Sequence, residues 1–186
     1  MRGRTETLGV ADVTDGLTAR LAGLADSAAI AAIYNQGIAT RLATFETAPR
    51  TPEQIAAQLA EKGARFPTIV VECAGRVLGF AGAGPYRSRP CYEGIAEHSV
   101  YVDAAARGTG VGRAALAALI ETYEALGFWK LASRIFPENA ASLALHDRAG
   151  FRVVGVYRRH AKLDGAWRDC VIVERLLGEA ASLSDQ

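Results

Sequence analysis

A glycine-rich segment, RGTGVGR (residues 107–113), joins a strand-like apolar run to a run with helical spacing. Gly108, Gly110 and Gly112 leave the backbone without side chains at this junction. Successive N–H groups of such a loop can converge on one anion, and the positive end of the helix dipole adds to the attraction. The segment therefore predicts a loop that binds phosphate.

Two other kinds of glycine-rich phosphate loop fit this segment poorly. A Walker loop needs Gly-Lys-Ser/Thr, whereas Arg113 and Ala114 follow Gly112 here. A Rossmann fingerprint belongs to a βαβ unit near the start of a chain, with an acidic residue closing the next strand. A flexible strand-to-helix connection remains the alternative, because a G-x-G-x-G string alone is weak evidence.

Glu97 lies in the strand-like run IAEHSVYV that leads into this loop. A carboxylate in a mostly apolar strand is a candidate general base, and a solvated charge on an edge strand is the alternative. Strand alternation puts Ser99 and Tyr101 on the same face as Glu97, and His98 on the other face. We therefore do not expect His98 to be the partner of Glu97.

Two arginines precede that strand in the segment YRSRPCY, which runs from Tyr86 to Tyr92. The paired guanidinium groups of Arg87 and Arg89 suit a carboxylate or a phosphinate-like oxyanion. Surface salt bridges are the alternative for this pair. Cys91 has no His/Asp arrangement around it in the sequence, so we do not expect a covalent acyl-cysteine.

The elements that must position these residues follow from periodicity and capping signals. A strand at 18–22 and a helix capped by Asp26 come first, and Thr51-Pro52-Glu53-Gln54 predicts the start of a second helix that ends near Lys62. The remaining elements are predicted at 68–73 and 76–84 (a hairpin turning at Ala74-Gly75), 94–102 (strand), 110–126 (helix), 129–136 (strand), 138–149 (helix), and 151–160 and 167–176 (strands). This order predicts an α/β (α+β) fold with a mixed sheet flanked by helices rather than an all-parallel sheet.

Length and composition indicate one domain. The chain has 186 residues, half of them apolar, and a formal net charge of +1 from 21 basic and 20 acidic residues. We expect a polar lead-in at 1–17, a single domain at 18–178 and a tail at 179–186. The near-neutral charge and the lack of a signal or a long apolar segment predict a cytoplasmic protein that binds neither nucleic acid nor membrane. Three separated cysteines give no metal-ligand spacing, and we expect neither disulfides nor a metal.

Arg107, Gly110 and Gly112 match the pattern R-x-x-G-x-G, with a strand before it and a helix after it. On this motif and the order of elements, the sequence resembles the GNAT superfamily of N-acetyltransferases from about Arg20 to Leu177. Within that superfamily it resembles the phosphinothricin and arsinothricin N-acetyltransferase branch. Five segments carry this second resemblance: ATFETAPRTP (43–52), YRSRPCY (86–92), AEHSVYV (96–102), SLALHDRAGF (142–151) and LDGAWRD (163–169).

The resemblance implies a GNAT acyltransferase fold, with about seven strands in a mixed sheet and about four helices, and acetyl-CoA as the acetyl donor. Asn139 and Ser142 would lie along the pantetheine arm, although Asn139 is also compatible with a helix cap as its only role. The full set of implied acetyl-CoA contacts is Val100, Tyr101, Val102, Arg107, Gly108, Thr109, Gly110, Val111, Gly112, Arg113, Asn139 and Ser142.

Acetyl transfer to an α-amino group needs the free base, and such a group, with a pKa near 8, is about nine-tenths protonated at pH 7. The resemblance places the general-base glutamate at Glu97. It places His146 beside the acetyl-CoA sulfur, where many other members have a tyrosine, and where the histidine could protonate the leaving thiolate or assist the base. A packed or exposed bystander is the alternative for His146.

The acceptor implied by the arginine pair and by the resemblance is a small acidic amino acid, bound by Phe45, Arg87, Arg89, Tyr92 and Trp167. Phosphinothricin enzymes more often carry lysine at the position of Arg87, so arsinate, phosphinate and other amino acids such as methionine sulfone stay open. A protein N-terminus as acceptor and a non-catalytic acetyl-CoA sensor are the alternative functions. The resemblance also implies a homodimer and a role in resistance or detoxification.

Overall fold

A computed structural model of the chain describes residues 16–183. Seven strands form one mixed sheet in the order β1-β2-β3-β4-β5-β7-β6. The strands are β1 (Thr18–Leu21), β2 (Ile69–Cys73), β3 (Arg76–Pro85), β4 (Ile95–Val102), β5 (Lys130–Ile135), β6 (Arg152–Leu163) and β7 (Ala166–Leu176). The prediction of a mixed sheet of about seven strands is confirmed.

Five α-helices flank the sheet in the described residues, where about four were expected. They are α1 (Ser27–Thr40), α2 (Pro52–Lys62), α3 (Val111–Ala125), α4 (Ala140–Arg148) and α5 (Gly178–Ser182). The additional helix is α5, which occupies part of the predicted tail. Within residues 16–183, no helix combines the length and the apolar character needed to cross a bilayer.

The two faces of the sheet carry separate apolar clusters, because successive side chains of a strand point to opposite faces. On one face α3 packs its buried residues, such as Leu119 and Tyr123, against the central strands. On the other face Ile30 and Ile33 of α1 pack with Phe80 of β3 and Tyr101 of β4. The sheet is therefore covered on both sides, and β4 contributes to both clusters.

The parallel pairing of β4 with β5 is short. It joins Ile95 to Lys130, Ala96 to Leu131 and Glu97 to Ala132, and it is the one parallel pairing in residues 16–183. Beyond Glu97 the two strands separate, while β4 stays paired with β3 as far as Val102. The sheet therefore has a wedge-shaped opening that begins directly after Glu97.

Capping signals predicted one helix start correctly and another incorrectly. Thr51 and Gln54 form the expected capping box at α2, with Pro52 in its first turn. Asp26 stands at the N-cap position of α1 but does not cap it. Its carboxylate instead binds the guanidinium of Arg20, at 2.8 and 2.9 Å, and accepts a hydrogen bond from the backbone N–H of Gly23. The nearby cation has outcompeted the helix terminus for this side chain.

The predicted lead-in falls mostly on residues outside the described part of the chain. Its last residue, Leu17, is described, and its side chain is buried in the main apolar cluster. The packed core therefore begins at least one residue before the predicted boundary.

Candidate active site

The opening between β4 and β5 exposes backbone groups of β4. Within residues 16–183, the β5-facing edge of β4 has no strand partner from His98 to Val102. One side chain reaches across the opening, because Ser133 of β5 donates its hydroxyl to the carbonyl oxygen of His98 at 2.9 Å. The remaining edge can pair with an extended ligand that carries amide groups.

The glycine loop lies between the end of β4 and the start of α3. Gly108 and Gly110 have φ angles of 81° and 92°, a region that favours glycine. Gly110 is the N-cap of α3, and the first backbone hydrogen bond of the helix runs from Ala114 to its carbonyl. The N–H groups of Val111, Gly112 and Arg113 therefore lack intrahelical partners, as the first turn of any helix does. This arrangement fits a diphosphate group.

Gly112 has a different task from the two glycines before it. A Cβ atom at Gly112 would lie 3.4 Å from both Leu145 Cδ2 of α4 and Val102 Cγ2 of β4. The missing side chain therefore lets α3, α4 and the end of β4 approach closely. The flanking Arg107 and Arg113 are exposed beside the loop, together with Thr109.

The other predicted acetyl-CoA contacts are spread over both faces of β4. Val100 and Val102 are partly buried against the main cluster, on the side of α3. The Tyr101 side chain is on the opposite face, edge-to-face with Tyr34 and stacked on Phe80. Through its side chain, Tyr101 is thus a core residue of the α1 face, and only its backbone lies along the opening.

Asn139 caps α4, as its alternative interpretation proposed. Its Oδ1 accepts a hydrogen bond from the backbone N–H of Ser142 at 3.1 Å, and its Nδ2 donates to the carbonyl of Leu42 at 3.1 Å. Its side chain therefore also ties the start of α4 to the segment that follows α1. A contact with the pantetheine arm stays a prediction for both Asn139 and Ser142.

Glu97 stands where β4 and β5 separate, and its carboxylate binds Arg134 of β5, with 2.5 Å between Oε1 and Nε. This hydrogen bond raises the pKa of the Arg134 guanidinium. Arg134 also lies 3.3 Å from Nε2 of His160, as measured from its Nη1. The pair is partly open to solvent, since a quarter of the Glu97 side chain is exposed.

Arg134 was not predicted from the sequence, although the register of the parallel pairing would have indicated it. Glu97 pairs with Ala132, and a residue two positions further along β5 lies on the same face. Without the pairing register, an arginine in the run SRIFPEN has no evident partner. His98 is on the opposite face and does not contact Glu97, as predicted.

His146 is buried under the opening, with 2% of its surface exposed. Its Nδ1 lies 2.8 Å from the carbonyl oxygen of Ser142, which can only accept, so Nδ1 carries the proton. Its Nε2 lies 3.0 Å from Nε2 of His98, which is 4% exposed. In the neutral pair, His98 is then the donor and His146 the acceptor. Both ring nitrogens of His146 are thus engaged inside the protein.

The buried environment keeps both histidines neutral. Burial lowers the pKa of His98 to about 3, with a smaller contribution from His146, and burial also lowers the pKa of His146. Phe151 packs against both rings at 5.1 Å between centroids. Nδ1 of His98 is buried without a hydrogen-bond partner among the described residues. The catalytic role of His146 stays a prediction, and this geometry does not present a free ring nitrogen to the opening.

The predicted acceptor residues form two groups. The first is the loop that follows β3, where the guanidinium of Arg87 lies 5.1 Å from the ring centroid of Tyr86, and Tyr86 packs edge-to-face with Tyr92. Arg87 and Arg89 are exposed, and neither forms an ion pair within residues 16–183. The surface salt bridges offered as the alternative for these arginines are thus not seen in the described part of the chain.

The second group lies near β6 and β7. Phe45 packs edge-to-face on Phe136 and has its ring centroid 6.4 Å from that of His160, which contacts Arg134. Trp167 is 56% exposed, and its ring is covered by Lys162, whose Nζ lies 4.8 Å from the centroid. The structure therefore links Phe45 to the Glu97–Arg134 pair but leaves Trp167 apart from it.

No group of three or more His, Cys, Asp and Glu side chains in residues 16–183 is arranged to hold a metal ion. Cys170 is buried, Cys73 is partly buried and Cys91 is exposed, and none of these thiols is in a disulfide.

Comparison with known proteins gives consistent matches over most of the chain. The family model described as acetyltransferase (GNAT) family matches residues 38–151. An L-methionine sulfoximine/L-methionine sulfone acetyltransferase of Pseudomonas paraeruginosa is 37% identical over 83% of this chain and 91% of its own. A phosphinothricin N-acetyltransferase of Streptomyces viridochromogenes is 34% identical over 81% of this chain and 82% of its own.

A solved structure agrees with these matches. The GNAT superfamily phosphinothricin acetyltransferase of Sinorhizobium meliloti, determined in complex with acetyl-CoA, superposes with a TM-score of 0.84 and 31% identity. The match covers 92% of this chain and 94% of that one.

The conformation of the glycine loop yields a prediction about acetyl-CoA affinity. Replacing Gly110 by alanine forces an L-residue into φ 92° at the N-cap of α3, next to the unpaired N–H groups of its first turn. We expect the dissociation constant for acetyl-CoA, measured by calorimetry, to rise on the order of tenfold. Gly127→Ala is the matched control, because Gly127 has φ 80° at the other end of α3 and open space around its Cβ position. Equal loss of affinity in both variants would show that the effect is general strain.

The buried histidine pair predicts how stability depends on pH. Below pH 6.5, the ordinary pKa of histidine, the unfolded chain binds a proton at His98 and the folded chain does not. The free energy of unfolding therefore decreases as the pH is lowered. One proton corresponds to about 1.4 kcal/mol per pH unit, or about 2 kcal/mol between pH 6.5 and about pH 5. In urea denaturation, His98→Asn should reduce the acid-induced loss by this amount. Identical pH dependence in the wild type and in His98→Asn would refute the neutral pair.

Proposed function

The chain belongs to the acetyltransferase (GNAT) family and is an acetyl-CoA-dependent N-acetyltransferase, and we propose that its acceptor is the α-amino group of a small anionic amino acid of the phosphinothricin or arsinothricin type. The names of the relatives support an amino-acid acceptor, since one acts on phosphinothricin and another on methionine sulfoximine and methionine sulfone. Arg87 and Arg89, exposed without ion pairs in the described residues, supply unpaired positive charge for an anionic acceptor.

The observation that carries the proposal is the position of the Glu97 carboxylate, at the point where β4 leaves β5. Glu97 is the last residue of β4 in the parallel pairing, and its carboxylate pairs with the guanidinium of Arg134. A carboxylate at the end of the opening can accept a proton from an ammonium group that approaches from the α1 face. Acetyl-CoA, when bound, supplies the thioester carbonyl that the resulting free amine attacks.

Glu97 and the arginines that surround it bind opposite charges of a zwitterionic acceptor. Two of these arginines, Arg87 and Arg89, are on the loop that follows β3. The loop begins next to Glu97, because Pro85 pairs with Ala96 and the backbone N–H of Tyr86 bonds to the carbonyl of Ile95. We assign the ammonium group to Glu97, and the α-carboxylate to the guanidinium groups of Arg87, Arg89 and Arg134. In this arrangement Phe45 and Tyr92 form apolar walls, and Trp167 lies at the outer edge.

His146 is assigned a positioning task in this scheme. Protonation of the thiolate by His146 would need a ring nitrogen free to face the sulfur, and both nitrogens are hydrogen-bonded to Ser142 and His98. The pair instead holds α4 against β4, and α4 carries Leu145, which packs against the glycine loop at Gly112. We place the leaving thiolate within reach of solvent and of the backbone donors of β4.

We further propose that the protein is a cytoplasmic homodimer that inactivates toxic amino-acid analogues by blocking their amine. Exposed large apolar side chains on β6 and β7 support the dimer: Val153, Val154, Val156, Tyr157 and Trp167. A cytoplasmic location agrees with the need for acetyl-CoA. Light scattering during size-exclusion chromatography tests the dimer, and a monomer at micromolar concentration would refute it.

An acceptor panel tests the function directly. Thiol release from acetyl-CoA would be measured with phosphinothricin, arsinothricin, methionine sulfone, glutamate and a short peptide. We expect the highest kcat/KM for an anionic amino acid. Activity confined to the peptide would favour a protein N-terminus as acceptor, and acetyl-CoA binding without thiol release for any acceptor would favour a sensor.

Replacing Glu97 by glutamine removes the proposed base and preserves its shape. Turnover at neutral pH should fall roughly 10²- to 10⁴-fold, because the amide cannot take up the ammonium proton. The dissociation constant for acetyl-CoA, measured by calorimetry, should change little. Glu93→Gln is the control, since Glu93 is an exposed carboxylate on the adjacent loop. Wild-type turnover in Glu97→Gln would refute the assignment.

A further inference from the structure

A cavity of about 150 Å³ lies between helices α1 and α2 and the sheet, on the face that carries Glu97. Its wall is mixed, and the apolar part is formed by Ile30, Ile55, Leu59 and Phe80. Its polar side chains include Gln58, Lys62, Thr68 and Ser99. A cavity in which polar groups converge beside an apolar wall can orient a small molecule by its polar end.

The floor of this cavity leads along the sheet to Glu97. Gly82 of β3 pairs with Ser99, and Gly84 pairs with Glu97. These two glycines are on the same face as their partners, so β3 presents no side chain between the cavity and the Glu97 carboxylate. The two residue pairs are about 7 Å apart along the strands. An amino acid whose amine lies at Glu97 and whose side chain is about as long as that of glutamate can reach the cavity.

Lys62 and Thr68 meet at the floor near Gly82. A Cβ atom on Gly82 would lie 3.1 Å from Oγ1 of Thr68 and 3.8 Å from Nζ of Lys62. The ammonium group at the end of α2 therefore reaches the sheet rather than extending into solvent. The absence of a side chain at Gly82 lets both groups approach the sheet at this point.

The Lys62 ammonium group has no hydrogen bond and no ion pair within residues 16–183. The other charged side chains of the cavity, Glu46 and Arg50, pair with each other at 2.7 Å. Burial lowers the pKa of Lys62, which shows that its charge is poorly solvated. A poorly solvated cation without a counter-charge is unfavourable, and a bound anion relieves that cost.

We propose that this cavity is the subsite for the anionic end of the acceptor's side chain, with Lys62 as its counter-charge and the hydroxyl groups of Thr68 and Ser99 as hydrogen-bond donors. The ligand class is a carboxylate, phosphinate or arsinate at the end of a side chain of glutamate length. This inference rests on the proposed function, since it takes the amine to lie at Glu97. Arg87, Arg89 and Arg134 are then left for the α-carboxylate.

A pair of acceptors that differ in side-chain charge tests the subsite. Phosphinothricin ends in an anionic phosphinate, whereas methionine sulfone ends in a neutral sulfone. In enzyme saturated with acetyl-CoA, Lys62→Met and Lys62→Gln should lower kcat/KM for phosphinothricin on the order of 10- to 100-fold, and for methionine sulfone less than about threefold. The control Glu61→Gln removes an exposed charge from the same helix and should affect neither acceptor. Equal losses for both acceptors, or no loss for either, would overturn the proposal.

A binding measurement separates this inference from the proposed function. Glutarate has two carboxylates and no amine, so it occupies the subsite without reacting. In the full-length wild-type protein it should shift the backbone amide resonances of Thr68, Gly82 and Ser99, and Lys62→Met should abolish these shifts. If the wild type acetylates neither acceptor but binds glutarate in this way, the proposed function fails and the anion site stands. No shifts in the wild type, or the same shifts in Lys62→Met, would overturn the site.

Discussion

The end of the parallel pairing between β4 and β5 is the constraint on which the site depends. A paired β4 edge would satisfy its own backbone groups and leave no place for an extended ligand. Because the pairing stops at Glu97, the unpaired edge and the candidate base begin at one residue, and the cavity at Gly82 and Ser99 lies about 7 Å along the strands. The strand then continues to the glycine loop, so one element aligns the proposed diphosphate and proton-transfer sites.

Specific polar contacts span the opening between β4 and β5 and lie beneath it. Ser133 spans it with a hydrogen bond to the carbonyl of His98, and the imidazole of His98 bonds to His146 of α4 beneath it. Both histidines are neutral and packed against Phe151, so the link resembles a core contact more than a catalytic device. The buried polar network therefore ties β5, β4 and α4 together at the opening.

Local signals were sufficient for much of the fold, and contacts between distant segments were not. The alternation in β4, the capping box at Thr51 and the position of the glycine loop before α3 are encoded within a few neighbouring residues, and each was predicted correctly. Phosphate binding by that loop stays a prediction. Asp26 was misassigned because its partner, Arg20, lies outside the helix whose start it marks. Arg134 and the His98–His146 pair depend on the register of β5 and the placement of α4, which no short stretch of sequence specifies. Lys62 was predicted only as the last residue of a helix. Its position beside Thr68 and Gly82 depends on how α2 packs on the sheet, which the local sequence does not specify.

The expected charge of the acceptor's side chain follows from comparing the free-energy cost of binding a neutral side-chain end with that of binding an anionic one. A neutral side-chain end fills the cavity but leaves the Lys62 ammonium group without a counter-charge and displaces the water that solvates it. An anionic end gives up its own hydration and gains both an ion pair and the Thr68 hydroxyl, and hydrogen bonds between charged groups are the stronger kind. Selection therefore comes mainly from the attraction between Lys62 and the anion. Among amino acids of similar length, we expect phosphinate or carboxylate side chains to be preferred over sulfone side chains, although both would present the same amine to Glu97.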